Sequence, residues 1–149
     1  MLAETLKKLF NRDLSKLKSE IEAYQKDENL WLIDHGIANP AGNLCLHLVG
    51  NLNTYIGAIL GGTDYVRNRE LEFTLKDIPK QELINMIEAT LGVVSKTLDQ
   101  VSKEQMDNEY PILVFEEKTS TEFFLVHLTT HLAYHLGQIN YHRRLLDRE

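Results

Sequence analysis

The sequence has one cysteine, few clustered basic residues and no long hydrophobic run. A single cysteine cannot form an intramolecular disulfide, which excludes the class of small secreted proteins that disulfides stabilise. Cys45 stands in an apolar run, so we expect it to be a small core residue. No stretch approaches the ~18 uncharged apolar residues that a membrane-spanning helix needs, so we expect no membrane segment. The first residues begin a charged amphipathic segment rather than a signal peptide, and we therefore expect a cytoplasmic location.

Positive charge is also scarce, because 16 Lys and Arg stand against 22 Asp and Glu, which gives a net charge of −6. Proteins that bind nucleic acids attract the phosphate backbone with clusters of Lys and Arg. The few basic residues that do gather here alternate with polar and acidic ones; they are Arg67, Arg69, Arg143, Arg144 and Arg148. We therefore expect no nucleic-acid partner.

Apolar residues recur at spacings of three and four along most of the chain, which is the pattern of amphipathic helices. Four such segments are predicted, at residues 2–25, 39–60, 79–101 and 119–147. Four helices of similar length favour a bundle. The fold class predicted for residues 1–149 is therefore one all-α domain, a four-helix bundle.

Residues at the ends of two of these segments predict where the helices begin. Asn39 is a good N-cap, and Pro40 fits the first helical position because its missing N–H needs no partner there. Thr119 followed by Glu122 has the spacing of a capping box. The second segment should end at Gly61-Gly62, where a left-handed cap costs little.

The connections between the helices have features of their own. Residues 27–39 contain apolar side chains and should pack on the bundle, with His35 solvated. Residues 63–76 are predicted to be a loop, and a short extended segment is predicted around 110–116. Trp31 and the apolar run at 110–115 offer more apolar surface than one bundle can cover. A homodimer that covers the rest is therefore plausible.

Four of the six histidines lie on the last predicted helix. His127, His131 and His135 follow one another at intervals of four, which places neighbours on one helix face. On a helical wheel His135 borders the apolar stripe, His131 lies one step out, and His127 points well away. His47 is the one histidine of the second helix and stands among leucines. A metal ion shared by His47, His131 and His135 would satisfy all three imidazoles.

This pattern has a simpler interpretation. A lone histidine in an apolar helix, such as His47, is usually hydrogen-bonded to a neighbour. A histidine pair four apart is also common by chance. The spacing alone therefore leaves both interpretations open.

Three stretches resemble the DinB-like family, which includes the YfiT-type metal-dependent hydrolases and the thiol-dependent S-transferases. They are NLCLHLVGNL at 43–52, HLAYHLGQI at 131–139 and YVRNRELEF at 65–73. The family has one histidine on the second helix and then His-x-x-x-His with a Gly-Gln-Ile-like tail. The resemblance spans essentially the whole chain and implies a four-helix bundle with His47, His131 and His135 as metal ligands.

Three neutral imidazoles leave an ion at least one open coordination position, which is the arrangement of catalytic sites. Imidazole suits Zn²⁺, Ni²⁺ and Fe²⁺, so the sequence does not choose among them. Such a site acts on a small-molecule substrate, either by transferring a low-molecular-weight thiol or by hydrolysis with a metal-activated water. A third interpretation is a non-catalytic bundle that holds a metal. No carboxylate stands beside His131 or His135 as in His-Glu-x-x-His, which weakens the peptidase-like version.

Four other polar residues lie close to these motifs in the sequence. Gln138 is on the histidine side of its helix, where it either supports a ligand or is exposed. Asn51 follows His47 by four and orients either that histidine or a substrate, or else makes an ordinary interhelical hydrogen bond. Arg67 and Arg69 either meet an anionic thiol or remain solvated loop charges, and the second is expected.

Overall fold

Helices dominate the computed structural model, which describes residues 1–34 and 36–148, and no strand occurs in that part of the chain. The predicted all-α bundle is confirmed. Four helices are long: α1 (Leu2–Ala23), α2 (Ala41–Leu52), α4 (Lys80–Gln100) and α6 (Thr121–Leu146). Two are short: α3 (Arg69–Thr74) and α5 (Lys103–Asp107). None of the helices in the described residues is long and apolar enough to cross a membrane.

The four long helices pack in a ring, since α1 and α2 each contact both α4 and α6. The apolar stripe predicted for α1 faces inward and is buried; it consists of Leu6, Phe10, Leu14, Leu17 and Ile21. Each such side chain contributes roughly 1.5–3 kcal/mol when it leaves water. In α2 every residue except Val49 is buried. A helix enclosed on all sides can hold a polar side chain such as His47 only where that side chain finds a partner.

The ends of two helices differ from the prediction by one or two residues. Helix α2 begins at Ala41, and Pro40 occupies the cap position with extended backbone, so the Asn39 cap is wrong. Helix α6 is capped by Ser120, whose Oγ accepts from the Phe123 N–H at 3.1 Å, so the capping box at Thr119 is also wrong. The reason is that the Thr119 carbonyl accepts from the Tyr110 N–H at 2.8 Å, which keeps Thr119 in the preceding connection.

The second predicted helix changes character before its end. After α2 the chain continues as a π-helical turn over Asn53–Ala58, where Ile59 N–H donates to the Thr54 carbonyl five residues back. Gly62 then ends the helical segment with a positive φ of 69°, which agrees with the left-handed cap that the sequence predicted. The wider turn lies beside the candidate site described below, as π-turns often do.

The connections pack on the bundle at several points. The 3-10 turn Asp27–Trp31 buries Leu30, and the Trp31 ring lies so close to Gly42 that any Cβ there would overlap it. The prediction that this connection packs on the bundle is confirmed, while His35 lies outside the described residues. The segment predicted around 110–116 lies outside the helices, and no strand forms there.

Residues 110–116 wrap over the end of the bundle, and the first of them is paired, because the Tyr110 N–H donates to the Thr119 carbonyl at 2.8 Å. One isolated bridge, between Glu109 and Ser120, flanks them. Tyr110 is buried and its hydroxyl donates to the Tyr55 carbonyl at 2.5 Å. The homodimer stays a prediction; the apolar side chains that these two connections leave exposed are Leu32, Ile33, Ile112, Leu113 and Phe115.

Candidate metal centre

The structure brings together the three histidines that the sequence singled out. Helix α2 provides His47, and α6 provides His131 and His135 from successive turns of one face. One ring nitrogen from each lies within 4.8 Å of the other two. The Nε2 atoms of His47 and His131 are 3.2 Å apart. No other group of three or more such side chains among the described residues converges in this way.

The spacing of His47 and His131 fits a shared metal ion. Imidazole nitrogens bind zinc at about 2.0–2.1 Å, so two ligands of one ion lie no more than ~4.2 Å apart. The His47–His131 distance satisfies this condition. Three neutral imidazoles with at least one open position form the donor set of known catalytic zinc sites. The residues therefore fit a divalent ion.

Hydrogen bonds fix which nitrogen of two rings carries the proton. A carboxylate only accepts, so His47 donates its Nδ1 proton to Glu72 Oε1, at 3.1 Å, and keeps a lone pair on Nε2. His135 Nδ1 lies 2.7 Å from Gln138 Oε1, which leaves its Nε2 lone pair free in the same way. The Nδ1 of His131 is buried and has no hydrogen-bond partner among the described residues. Partners of this kind orient histidines that bind metals.

Glu72 is the residue of this site that the sequence analysis missed. It lies on α3 and is only 6% exposed. Besides the His47 proton, it accepts two hydrogen bonds from Arg67, from Nε at 2.8 Å and from Nη2 at 2.9 Å. The hydrogen bonds that link Arg67, Glu72 and His47 orient the imidazole ring of His47. Arg67 is thus not the solvated loop charge that we expected.

A glycine and a helix cap let Glu72 reach this position. A Cβ built on Gly50 of α2 would overlap the Glu72 carboxylate, so only glycine leaves room for it. Within the segment predicted to be loop, Arg69–Thr74 form α3, which begins where the Asn68 side chain accepts from the Leu71 N–H at 3.3 Å. Asn68 is the one sequence signal that could have revealed α3, because Asn is a preferred N-cap.

Burial keeps His131 and His47 in the neutral form that binds metals. Loss of solvent and, to a smaller extent, the charges of the neighbouring histidines together lower the pKa of His131 to about 4. Burial also lowers the pKa of His47, although the hydrogen bond to Glu72 opposes that effect. Neither ring therefore needs to lose a proton before it binds a metal at neutral pH.

Two cavities adjoin the cluster from different sides. The first, which we call the polar cavity, has a volume of about 170 Å³; besides His47 and His131, the residues Asn51, Tyr55, Arg67, Arg69 and His127 line it. The second, the aromatic cavity, has a volume of about 490 Å³; Leu44, Tyr134 and Tyr141 line it together with His135 and Gln138.

Of the other predicted positions, one differs from expectation, and the structure bears on two whose roles the sequence left open. His127 does not point away, because it lines the polar cavity, where Phe115 and Phe124 pack against its ring at centroid distances of 4.8 and 5.9 Å. Asn51 makes no interhelical hydrogen bond, and its Oδ1 is buried without a partner among the described residues. Gln138 is exposed, as one interpretation held, and its Oε1 lies 2.7 Å from His135 Nδ1, as the other required.

His142, the remaining histidine of α6, belongs to the structural core. Its Nδ1 accepts from the Tyr24 hydroxyl at 2.6 Å, and its Nε2 donates to the Leu32 carbonyl at 2.8 Å. Both nitrogens are thus used within the protein, and His142 takes no part in the cluster.

Comparisons with known proteins agree with the fold. A family model described as a protein of unknown function, DUF1572, matches residues 3–149. A crystal structure of a conserved protein from Enterococcus faecalis has a TM-score of 0.76 and 16% identity, with 96% of this chain and 95% of that chain covered. At that identity the likeness shows the fold alone. No curated protein matches the chain.

Proposed function

The chain belongs to the DUF1572 family of proteins of unknown function, and we propose that it is a metal-dependent enzyme that transfers a low-molecular-weight thiol. His47, His131 and His135 hold the divalent ion in this proposal. The observation that carries it is the convergence of three imidazole nitrogens within 4.8 Å, two of them with tautomers set by the side chains of Glu72 and Gln138. Zn²⁺, Ni²⁺ and Fe²⁺ all suit this donor set.

The proposal also places the family within the wider DinB-like group. One histidine on α2, followed by His131-x-x-x-His135 with Gly137-Gln138 after it, is the order that the resemblance rests on. The hydrogen bond from His135 to Gln138 gives that Gln a physical role as the partner of a ligand. Cytoplasmic location and a single domain over residues 1–149 remain predictions.

A thiol transferase needs a nucleophile and an electrophile side by side. A divalent ion at three neutral imidazoles stabilises a bound thiol as its thiolate, which is the nucleophilic form. The chain offers two cavities of different character that both adjoin the histidines, one polar and one lined by Tyr134 and Tyr141. Glu72 and Gln138 keep protons on the outer nitrogens, so that the inner ones face the cluster.

The carboxylates favour transfer over hydrolysis. A hydrolase of this type is helped by a carboxylate that takes a proton from water. Glu72 is the carboxylate at the cluster, and Arg67 and His47 occupy both its oxygens. No Asp or Glu among the described residues lines either cavity.

A metal-dependent hydrolase is the second candidate, and His127 is the observation that favours it. Its imidazole lines the polar cavity with a ring centroid 6.3 Å from that of His131. A histidine so placed can serve as a general base for water. His127→Ala would then abolish ester cleavage and leave metal binding intact.

The test compares two reactions of the metal-loaded protein. In the first, a thiol R–SH and an alkyl halide R′–X give the thioether R–S–R′, a proton and X⁻. In the second, an ester is cleaved by water. We expect the protein to form the thioether, and we expect a chelator or His135→Ala to abolish this activity. The control Glu70→Gln, a change on the exposed face of α3, should leave it unaltered. Ester cleavage alone would establish the hydrolase, and no turnover with metal bound would leave a metal-holding bundle.

A further inference from the structure

We propose that α6 pairs with α6 of a second copy of this chain, with the two helices antiparallel about a two-fold axis. The contact surface is the outer side of the helix, which we call the uncharged face of α6; it consists of Phe123, Val126, Tyr134, Gly137, Tyr141 and Leu145. This surface does not involve the metal ion, so the inference stands apart from the proposed function.

The first observation is that α6 lacks charge along most of its length. Residues 123–142 contain no Asp, Glu, Lys or Arg, although such residues make up 26% of the chain. At ~1.5 Å per residue this stretch is ~30 Å of helix. A helix at the surface of a protein normally carries charged residues on the side opposite the core. Depletion of charge is instead a property of the central part of protein interfaces.

The second observation is a line of exposed aromatic side chains on the same side of the helix. Phe123, Tyr134 and Tyr141 are 57%, 65% and 63% exposed. At ~100° per residue these three positions lie within ~20° of one another on the helical wheel. Phe and Tyr are enriched in the central part of interfaces, where charged residues are rare. The outer side of α6 therefore has the composition of a covered surface.

The apolar surface continues beyond the helix near both its ends. The Phe115 ring, 38% exposed, packs against the His127 ring at a centroid distance of 4.8 Å. Leu32, which is 41% exposed, lies beside the other end, where its carbonyl accepts from His142 Nε2 at 2.8 Å. A stable interface buries ~800 Å² on each partner, which is a patch ~30 Å across. The uncharged face of α6 has this length.

The charges at the two ends of this face indicate that the partner is a second copy. Glu122 precedes the uncharged stretch and Arg144 follows it; both are exposed, and neither forms an ion pair within the described part of the chain. In an antiparallel pair the acidic end of each helix lies against the basic end of the other. The face is thus complementary to itself, as a two-fold interface requires. Tyr134 lies midway between Phe123 and Leu145 in the sequence, which places it at the axis.

Gly137 agrees with a closely approaching second helix. A Cβ built on Gly137 would meet nothing within 4 Å, so no neighbour in the bundle requires glycine there. Glycine inside a helix costs ~1 kcal/mol relative to alanine. A second backbone that packs against this position is a reason for that cost. Tyr134 and Tyr141 also line the aromatic cavity, so the second copy lies beside the candidate metal centre.

The experiment measures the mass of the metal-free protein by sedimentation equilibrium from low to high micromolar concentration. We expect the mass of two chains at the higher concentrations. Tyr134→Glu places two negative charges against each other at the axis, and it should weaken the dimer by at least about tenfold. Val66→Glu is the matched control, because Val66 is 87% exposed in the connection before α3, away from α6, and this change should leave the dimer unaltered. Circular dichroism checks that each variant keeps its helices.

Charge reversal at the ends of the face tests the antiparallel arrangement. Glu122→Arg and Arg144→Glu each bring like charges together and should each weaken the dimer several-fold. The double variant restores opposite charges at both ends, so its dimer should be about as stable as that of the parent.

A protein that stays a monomer at every concentration would overturn the inference. So would a dimer that Tyr134→Glu leaves unchanged, since its interface would then lie elsewhere. A double variant weaker than both single variants would contradict the antiparallel arrangement. Metal-free protein is used throughout, so a failure of the metal site leaves these results as they are.

Discussion

Replacing Glu72 by Gln changes the charge of one buried side chain and little of its shape. Gln retains one carboxamide oxygen, which can accept the His47 proton or a hydrogen bond from Arg67 but not the full set of three that Glu72 accepts. Loss of such a partner typically weakens metal binding by about 10–100-fold, or ~1.4–2.7 kcal/mol. We therefore expect the zinc dissociation constant of Glu72→Gln to rise by that factor.

The same substitution should lower the stability of the metal-free protein. The side chains of Arg67 and Glu72 are 13% and 6% exposed, so Arg67 would keep its charge in a place with little water. Breaking a buried pair from one side costs ~3–5 kcal/mol, and the remaining carboxamide oxygen offsets part of it, so we expect a loss of about 2 kcal/mol. Urea unfolding in the presence of a chelator measures this change.

Zinc affinity is measured by competition with a chromophoric chelator. Glu70→Gln is the matched control, because Glu70 lies two residues away on the same short helix and is exposed. The zinc dissociation constant and the free energy of unfolding of the metal-free protein should be unchanged in the control. A zinc dissociation constant for Glu72→Gln within twofold of the parent would refute the view that the Arg67–Glu72 pair orients His47.

Three further predictions follow from single residues. Gly50→Ala should displace Glu72 and weaken zinc binding by a factor similar to that of Glu72→Gln, because its Cβ would overlap the carboxylate; the same chelator competition measures it. In metal-free protein the free energy of unfolding should fall as pH drops from 6.5 towards 4, because the folded pKa of His131 is lowered to about 4 and the unfolded chain takes up its proton first; His131→Gln should flatten this dependence in urea titrations. Burial raises the pKa of the Cys45 thiol to about 12, so iodoacetamide should modify it only after unfolding, and rapid modification of the native protein would contradict its burial.

The parts of the structure that follow from helical periodicity were predictable. The stripe of Leu6 to Ile21 on α1 and the enclosed α2 came directly from spacing and composition. So did the pairing of His131 with His135, because residues four apart share a face wherever the helix lies. The placing of His47 opposite them relied on the family resemblance, since periodicity does not say which helices are neighbours.

The surroundings of the histidines could not be read from spacing in the same way. Glu72 reaches His47 through a loop, a short helix and the room left by Gly50, and no periodic pattern connects these. His127 was misjudged because the helical wheel shows one helix alone. Phe115, from the connection that wraps over the end of the bundle, packs against its ring and makes it part of the polar cavity.

Metal content is the property on which the proposed function depends. The untagged protein would be incubated with Zn²⁺, Ni²⁺ or Fe²⁺, desalted and measured by elemental mass spectrometry, together with His47→Ala, His135→Ala and His142→Ala. We predict about one equivalent in the parent and in His142→Ala, whose histidine lies outside the cluster, and none in the other two variants. A parent protein without metal under all three conditions, or equal metal in every variant, would contradict the three-histidine site.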